Sequence, residues 1–358
     1  MTGLIGRIKS LSGKLVSKIL LNAYSYMTFK AFEIAFGKVL RDWQPDILHA
    51  HDGVTLPTAA KAAQEMGAKL VFDSHELETH RNPPLSKLKR WQVERMERKF
   101  LKKADRVMTV TNLLSDHLAR EYNITRPTVI FNAPPAQVDR VHERWDVLDR
   151  YDVRAELRLN SRKFLFVYTG QATVNRGLEL AIIALSKLQG FKDPNERYDD
   201  EYYLATVGGV QKGHDLALRR LAETYHVSKY LKFMPAVAPQ RVSQYISTAD
   251  ASIIPIIPVT LSYEYAMPNK LFEAMLSGNP IIGSDLMEMA PFIEQHRLGL
   301  TYQADSPDDC VEKMIQLITC FPDFHRSTER QTELAEKYGW EAQEKALLAM
   351  YDDMLSGR

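Results

Sequence analysis

Cysteine is nearly absent: the 358 residues carry only Cys310 and Cys320. Both fall in a segment that Ser306-Pro307-Asp308-Asp309 opens as a capped helix with proline in its first turn. Ten helical residues at ~1.5 Å each separate the two thiols by roughly 15 Å, beyond the ~7 Å that a disulfide tolerates between Cα atoms. Reduced thiols and a cytoplasmic setting are therefore expected. No run of about 18 apolar residues exists, which excludes a membrane-crossing helix, and no uninterrupted apolar stretch near the start suggests a cleavable signal. The Asn123-Ile124-Thr125 sequon then carries no meaning. Charge of one sign is also lacking. Lysine and arginine number 46 against 45 acidic residues, so no overall field recruits nucleic acid, and no basic block interleaved with aromatics replaces one. Neither a short-period repeat nor a low-complexity tract is present, nor any CxxC, P-loop, GxSxG or GxGxxG pattern.

What is present is globular: 45% apolar and 25% charged residues, in a chain long enough for two α/β domains. From Arg7 to about Leu40 the pattern reads as a helix, with Ile5, Ile8, Leu11, Leu15 and Ile19 apolar and Arg7, Lys9, Lys14 and Lys18 basic. Packing on its own domain is one reading of it; a peripheral contact with an anionic membrane is the other. Strands then alternate with helices. Strands are expected over 46–51, 69–72, 107–110 and 128–131, with helices from Pro57 to Met66, Leu85 to Lys102 and Ser115 to Glu121. After a charged, weakly periodic stretch from Ala136 to Ser161, strands over 164–169, 202–207, 231–234, 251–255 and 280–283 alternate with helices from Gly177, Leu216, Arg241 and Lys270, and two further helices close the chain. Parallel strands need crossovers, so this alternation predicts doubly wound parallel sheets. The expected domains are 1–150, 151–340 and a C-terminal helix, 341–358, packing back on the first domain.

Two segments carry chemistry. Phe166 to Gly177 runs from an apolar strand through a small-residue loop into a helix, whose N-terminus offers free backbone N–H groups; Arg176 adds a cation with a bidentate fork. Any α/β domain has such turns, so a purely structural role stands beside diphosphate binding. Pro268-Asn269-Lys270-Leu271-Phe272-Glu273 begins a short helix that Gly278 and Pro280 end. There Lys270 and Glu273 project together at i and i+3, an ammonium for phosphate and a carboxylate for vicinal hydroxyls, or else an ordinary surface pair. His49 and His51 share one face of a strand. With Asp52, Asp73 and His75 nearby they suit a polar cleft floor, and a metal site is the less favoured alternative. His75-Glu76 misses the zinc-protease spacing by one residue.

Gly170 to Gly177, then Pro268 to Glu273 followed by Gly278-Asn279-Pro280 and Ser284-Asp285, resemble the donor-site motifs of retaining glycosyltransferases of family 4, which have the GT-B fold of two Rossmann-like domains facing a cleft. Phe72-Asp73-Ser74-His75-Glu76-Leu77 is similar to that family's first-domain loop, and Ile130-Phe131-Asn132-Ala133-Pro134 to its interdomain strand end. The resemblance covers most of the chain. It implies transfer of a sugar from a nucleoside diphosphate to a hydroxyl acceptor, without cofactor or metal. Arg176 and Lys270 would serve the diphosphate, Glu273 the ribose, and His75 would touch donor sugar or acceptor. Gly170, Gln171, Gly177, Gly208, Val237, Asn269 and Glu264 would line the donor pocket. The implied partners are a nucleotide sugar and a glycan or lipid-linked acceptor in envelope or exopolysaccharide synthesis. A nucleotide-sugar epimerase of the same fold, and a catalytically silent partner subunit, are the alternatives. Three features depart from the family pattern. Gln171 stands where relatives carry a basic residue, and Tyr265, beside Glu264, stands where many carry a second glutamate. The opening strand and glycine-rich loop expected before the first helix are not visible.

Overall fold

The computed structural model describes Met27 and residues 30–136, 152–324 and 327–356. The basic helix face expected at Arg7–Ile19 and most of the Ala136–Ser161 connection lie outside them. The chain forms two compact units, one from the described residues of Met1–His80, Leu85–Thr109 and Ser115–Val129, the other from Arg81–Pro84, Val110–Leu114 and Ile130–Arg358.

The first unit holds four parallel strands in the order in which they occur: β1 (Ile47–His51), β2 (Lys69–Ser74), β3 (Arg106–Thr109) and β4 (Thr128–Val129). A helix at 30–43 (α1) precedes them, and α2 (Asp52–Met66), α3 (Lys87–Phe100) and α4 (Asn112–Tyr122) connect them. β2 is central and apolar on both faces, with Leu70, Val71 and Phe72 fully buried, as a strand covered on both sides must be. Helix α2 starts five residues before Pro57, where the sequence suggested it would begin. Pro57 cannot donate to the carbonyl four residues back. The Thr55 hydroxyl adds a separate donor to the first turn, reaching the carbonyl of His51 at 2.6 Å.

The second unit holds six parallel strands, β5 (Phe164–Thr169), β6 (Tyr202–Val207), β7 (Leu231–Met234), β8 (Ala251–Ile254), β9 (Ile281–Ser284) and β10 (Gly299–Tyr302), in the order β10-β9-β8-β5-β6-β7. The chain lays β6 and β7 on one side of β5, then crosses to lay β8, β9 and β10 on the other. Such a reversal leaves a crevice beyond the carboxyl ends of β5 and β8, where open α/β sheets bind their ligands. β10 was not expected. A Cβ on its Gly299 would meet the Ile281 carbonyl oxygen at 2.0 Å, so only glycine lets this backbone reach β9.

Helices α5 (Val153–Glu156), α6 (Leu178–Leu188), α7 (His214–Thr224), α8 (Val242–Ile246), α9 (Leu261–Glu264), α10 (Asn269–Ser277), α11 (Met289–Gln295), α12 (Pro307–Thr319), α13 (Thr328–Tyr338) and α14 (Trp340–Leu355) complete this unit. Cys310 is buried on α12 and Cys320 ends it; both are free thiols. Helix α14 is tied to the strand-end segment of the same unit: Gln343 Oε1 accepts from the Phe131 N–H at 2.9 Å, and the Trp340 N–H donates to the Pro134 carbonyl at 3.0 Å.

Candidate active site

The site grows from the carboxyl end of β5. Gly170 follows Thr169 with φ +91°, and Gly208, at the end of β6, backs directly onto it: a Cβ on Gly208 would lie 2.6 Å from the Gly170 carbonyl oxygen. The loop then enters α6 through Gly177, at φ +76°. A Cβ there would fall 1.4 Å from the Pro255 carbonyl oxygen, so the start of α6 is pressed against the chain leaving β8. Gly177 at the N-cap brings no side chain, and among the described residues none caps α6, which leaves its first N–H groups to other partners. Inside the loop, the buried Tyr168 hydroxyl donates to the Gln171 carbonyl at 3.2 Å. Gln171 itself is exposed.

Helix α10 forms as its punctuation dictates. Pro268 precedes it in an extended conformation, and Gly278 ends it at φ +84° with its N–H on the Met275 carbonyl. Leu271, Phe272 and Met275 bury one side. Lys270 and Glu273 turn toward the β5 loop. The Lys270 ammonium sits 3.7 Å from the centre of the Tyr168 ring, and Glu273 Oε2 accepts from the Thr169 hydroxyl at 2.6 Å. The Arg176 guanidinium lies over the Tyr263 ring at 5.0 Å, while the Tyr263 hydroxyl accepts from Asn82 Nδ2 at 3.3 Å.

The electrostatics of this cluster are unusual. Burial, reinforced by the neighbouring Arg176 charge and opposed by Glu273, pushes the Lys270 ammonium down to about 7. Burial raises Glu273, against its hydrogen bond from Thr169 and the Lys270 charge. Among the described residues neither Arg176 nor Lys270 forms an ion pair. A buried cation without a carboxylate partner is costly to keep unless something else supplies the negative charge.

Arg176, Lys270 and Glu273 thus converge with Gly170, Gly177 and Gly208 on one crevice edge. Val237, beyond β7, is half-buried against the Tyr245 side of the core, and Asn269 is exposed at the start of α10. Glu264 ends α9 and engages its surroundings through its backbone, accepting from the Met287 N–H at 3.1 Å. No contact draws its carboxylate to Lys270 or Glu273. Asp285 is structural, accepting from the Ala304 N–H at 2.9 Å. His75 belongs to the first unit, beside Asp73. Sequence reasoning missed Tyr168, Thr169, Tyr263 and Pro255 as builders of the site. Tyr168 and Thr169 stand within the quoted loop segment, but their partners on α10 are about a hundred residues away and no local pattern joins them.

Comparison with known proteins bears on the family and the fold. Residues 14–134 match the model of Glycosyltransferase Family 4, and residues 163–320 match that of Glycosyl transferases group 1. The chain belongs to glycosyltransferase family 4. A D-inositol 3-phosphate glycosyltransferase of Mycobacteroides abscessus is 23% identical over 318 residues, spanning 86% of this chain and 65% of that protein. One from Rhodococcus opacus is 22% identical over 313 residues, spanning 86% and 67%. The chain thus covers about two thirds of the length of these relatives. Among solved structures, sucrose-phosphate synthase from Thermosynechococcus elongatus superposes with a TM-score of 0.73 at 17% identity, covering 91% of this chain and 78% of that one. Anabaena HepE in complex with UDP gives 0.66 at 15% identity, covering 88% and 81%. The family 4 chain therefore has the GT-B architecture of two parallel α/β sheets.

Proposed function

We propose that this protein transfers a sugar from a nucleoside diphosphate to a hydroxyl acceptor with retention of anomeric configuration. The observation that carries the reading is the meeting of Arg176 and Lys270, neither ion-paired, with Glu273 at the strand-order reversal of the second unit. Two side-chain cations neutralise the departing diphosphate where a metal would otherwise be needed, and they act strongly because the site is buried. Glu273, held by Thr169, accepts from the vicinal ribose hydroxyls. The uncapped first turn of α6 adds backbone N–H donors to the phosphates. HepE, whose structure holds UDP, supports a nucleotide at this architecture.

The acceptor side is read more coarsely: a glycan or lipid-linked hydroxyl in envelope or exopolysaccharide assembly, met in the cytoplasm or at its membrane face. The test is direct. The purified chain is incubated with UDP-, GDP- and ADP-linked sugars, with and without a mixture of glycan and lipid-linked acceptors. Acceptor-dependent release of nucleoside diphosphate is expected. Conversion of the sugar without acceptor, or no binding of any nucleotide, overturns the proposal.

A further inference from the structure

Neither donor-site cation is held by a carboxylate; each lies against a tyrosine ring. The Lys270 ammonium stands 3.7 Å from the centre of the Tyr168 ring, and the Arg176 guanidinium 5.0 Å from that of Tyr263. Lys270 is buried in the packing of α10, which fixes it. Arg176 is only half-buried, at the end of a loop. Among the described residues its guanidinium makes neither hydrogen bond nor ion pair, so the Tyr263 ring is what orients it.

Tyr263 is itself held from several sides. It lies in the four-residue helix α9, where its N–H donates to the Thr260 carbonyl at 2.9 Å and the Thr260 side chain caps the same turn. Its ring packs against the apolar cluster around α10. Its hydroxyl accepts from Asn82 Nδ2 at 3.3 Å, and Asn82 belongs to the Arg81–Pro84 segment of the same unit. The far end of α9 is tied down where the Glu264 carbonyl accepts from the Met287 N–H at 3.1 Å.

A carboxylate at the place of this ring would fill the fork of N–H groups that phosphate oxygens need, and its charge would repel the diphosphate. A ring face attracts the cation through its quadrupole and does neither. It also removes rotamer freedom that binding would otherwise have to take from a long side chain. We propose that Tyr263 is a positioning residue for Arg176: its ring presets the guanidinium while leaving the N–H fork open to the diphosphate. This role rests on the phosphate reading of Arg176 given above.

UDP, GDP and ADP are titrated by calorimetry into the full chain, and the one bound most tightly is carried through the variants. Tyr263→Leu should weaken it by about tenfold, and Tyr263→Phe by less than about threefold because the ring remains. In an Arg176→Ala background Tyr263→Leu should cost less than about twofold, since no guanidinium is left to orient; a ring that only props up the fold costs the same in both backgrounds. Circular dichroism checks that each variant is folded, and Tyr263→Met replaces Tyr263→Leu if the latter does not fold. Equal losses in Tyr263→Phe and Tyr263→Leu, unchanged affinity in Tyr263→Leu, or the same loss in both backgrounds overturns the positioning role and leaves the donor reading standing. No binding of any of the three nucleotides, or an affinity untouched by Arg176→Ala, overturns the positioning role together with the phosphate reading.

Discussion

Replacing Lys270 by methionine should make the empty protein more stable and the nucleotide weaker. The methionine keeps the unbranched stem that packs beside Tyr168 and removes the ammonium. In the folded chain Lys270 titrates at about 7, against 10.5 for an ordinary lysine. Between those values the unfolded chain holds a proton that the folded chain lacks, so stability rises with pH through the window. Below about pH 7 both states hold the proton and the folded chain bears the whole penalty. At about 1.4 kcal/mol per pH unit, that penalty is at most about 4 to 5 kcal/mol near neutrality and about 1 kcal/mol at pH 9.5. Lys270→Met should therefore stabilise the second unit by several kcal/mol at about pH 6.5, and by much less at about pH 9.5. Urea unfolding followed by circular dichroism at both pH values, on the transition that added nucleotide shifts, reads the difference. The same variant loses a cation worth about 4 kcal/mol at 4 Å from a phosphate before desolvation, so affinity for the best-bound nucleoside diphosphate should fall by about 30-fold or more. A variant less stable than the parent at pH 6.5, or equally stabilised at both pH values, refutes the buried-cation argument. Nucleotide affinity within threefold of the parent refutes the phosphate role.

The unaltered protein should take up a proton when it binds nucleoside diphosphate, so its affinity should decline as pH rises above about 7; calorimetry in buffers of different ionisation enthalpy measures both effects. Arg176→Ala should lower turnover by about 10² if the guanidinium supplies ~2.7 kcal/mol to the departing diphosphate, and unaltered steady-state rates would remove it from the mechanism. Glu273→Gln should weaken a nucleoside diphosphate by tenfold or more while leaving inorganic pyrophosphate almost unaffected; equal losses for both would place Glu273 on the phosphates and not on the ribose. Gly177→Ala should cost more than about 3 kcal/mol, since its Cβ would meet the Pro255 carbonyl at a positive φ, and a normal thermal midpoint would contradict that packing.

The alternation of strands and helices was plain in the sequence because each element carries local punctuation. Helix α10 shows this best: Pro268 opens it, Gly278 closes it, and its Lys270–Glu273 spacing fixes which side chains share a face. Where punctuation misleads, so does the reading. Pro57 suggested a helix start but lies inside α2, near its beginning, where its missing N–H forfeits only the bond to the Gly53 carbonyl. Strand β10 went unread, because the need for Gly299 at its start comes from Ile281 on another strand. The candidate site divides likewise. Charged residues at helix starts could be recognised singly. The Tyr168 ring beneath Lys270 and the Thr169 hydroxyl on Glu273 are contacts between segments 104 or so residues apart, created only when β5 and α10 pack. Even the depressed basicity of Lys270 is a product of burial, which a sequence spells nowhere.

The β5 loop is pinned at both ends by close backbone approach: Gly208, just past β6, leaves no room for a Cβ against the Gly170 carbonyl, and Gly177 leaves none against the exit of β8. Between those ends Gln171 and Val174 face solvent and bear no weight in the core. The loop is in effect an exchangeable cassette between immovable posts, where donor preference can drift over evolution or be redesigned in the laboratory while the scaffold around it stays put.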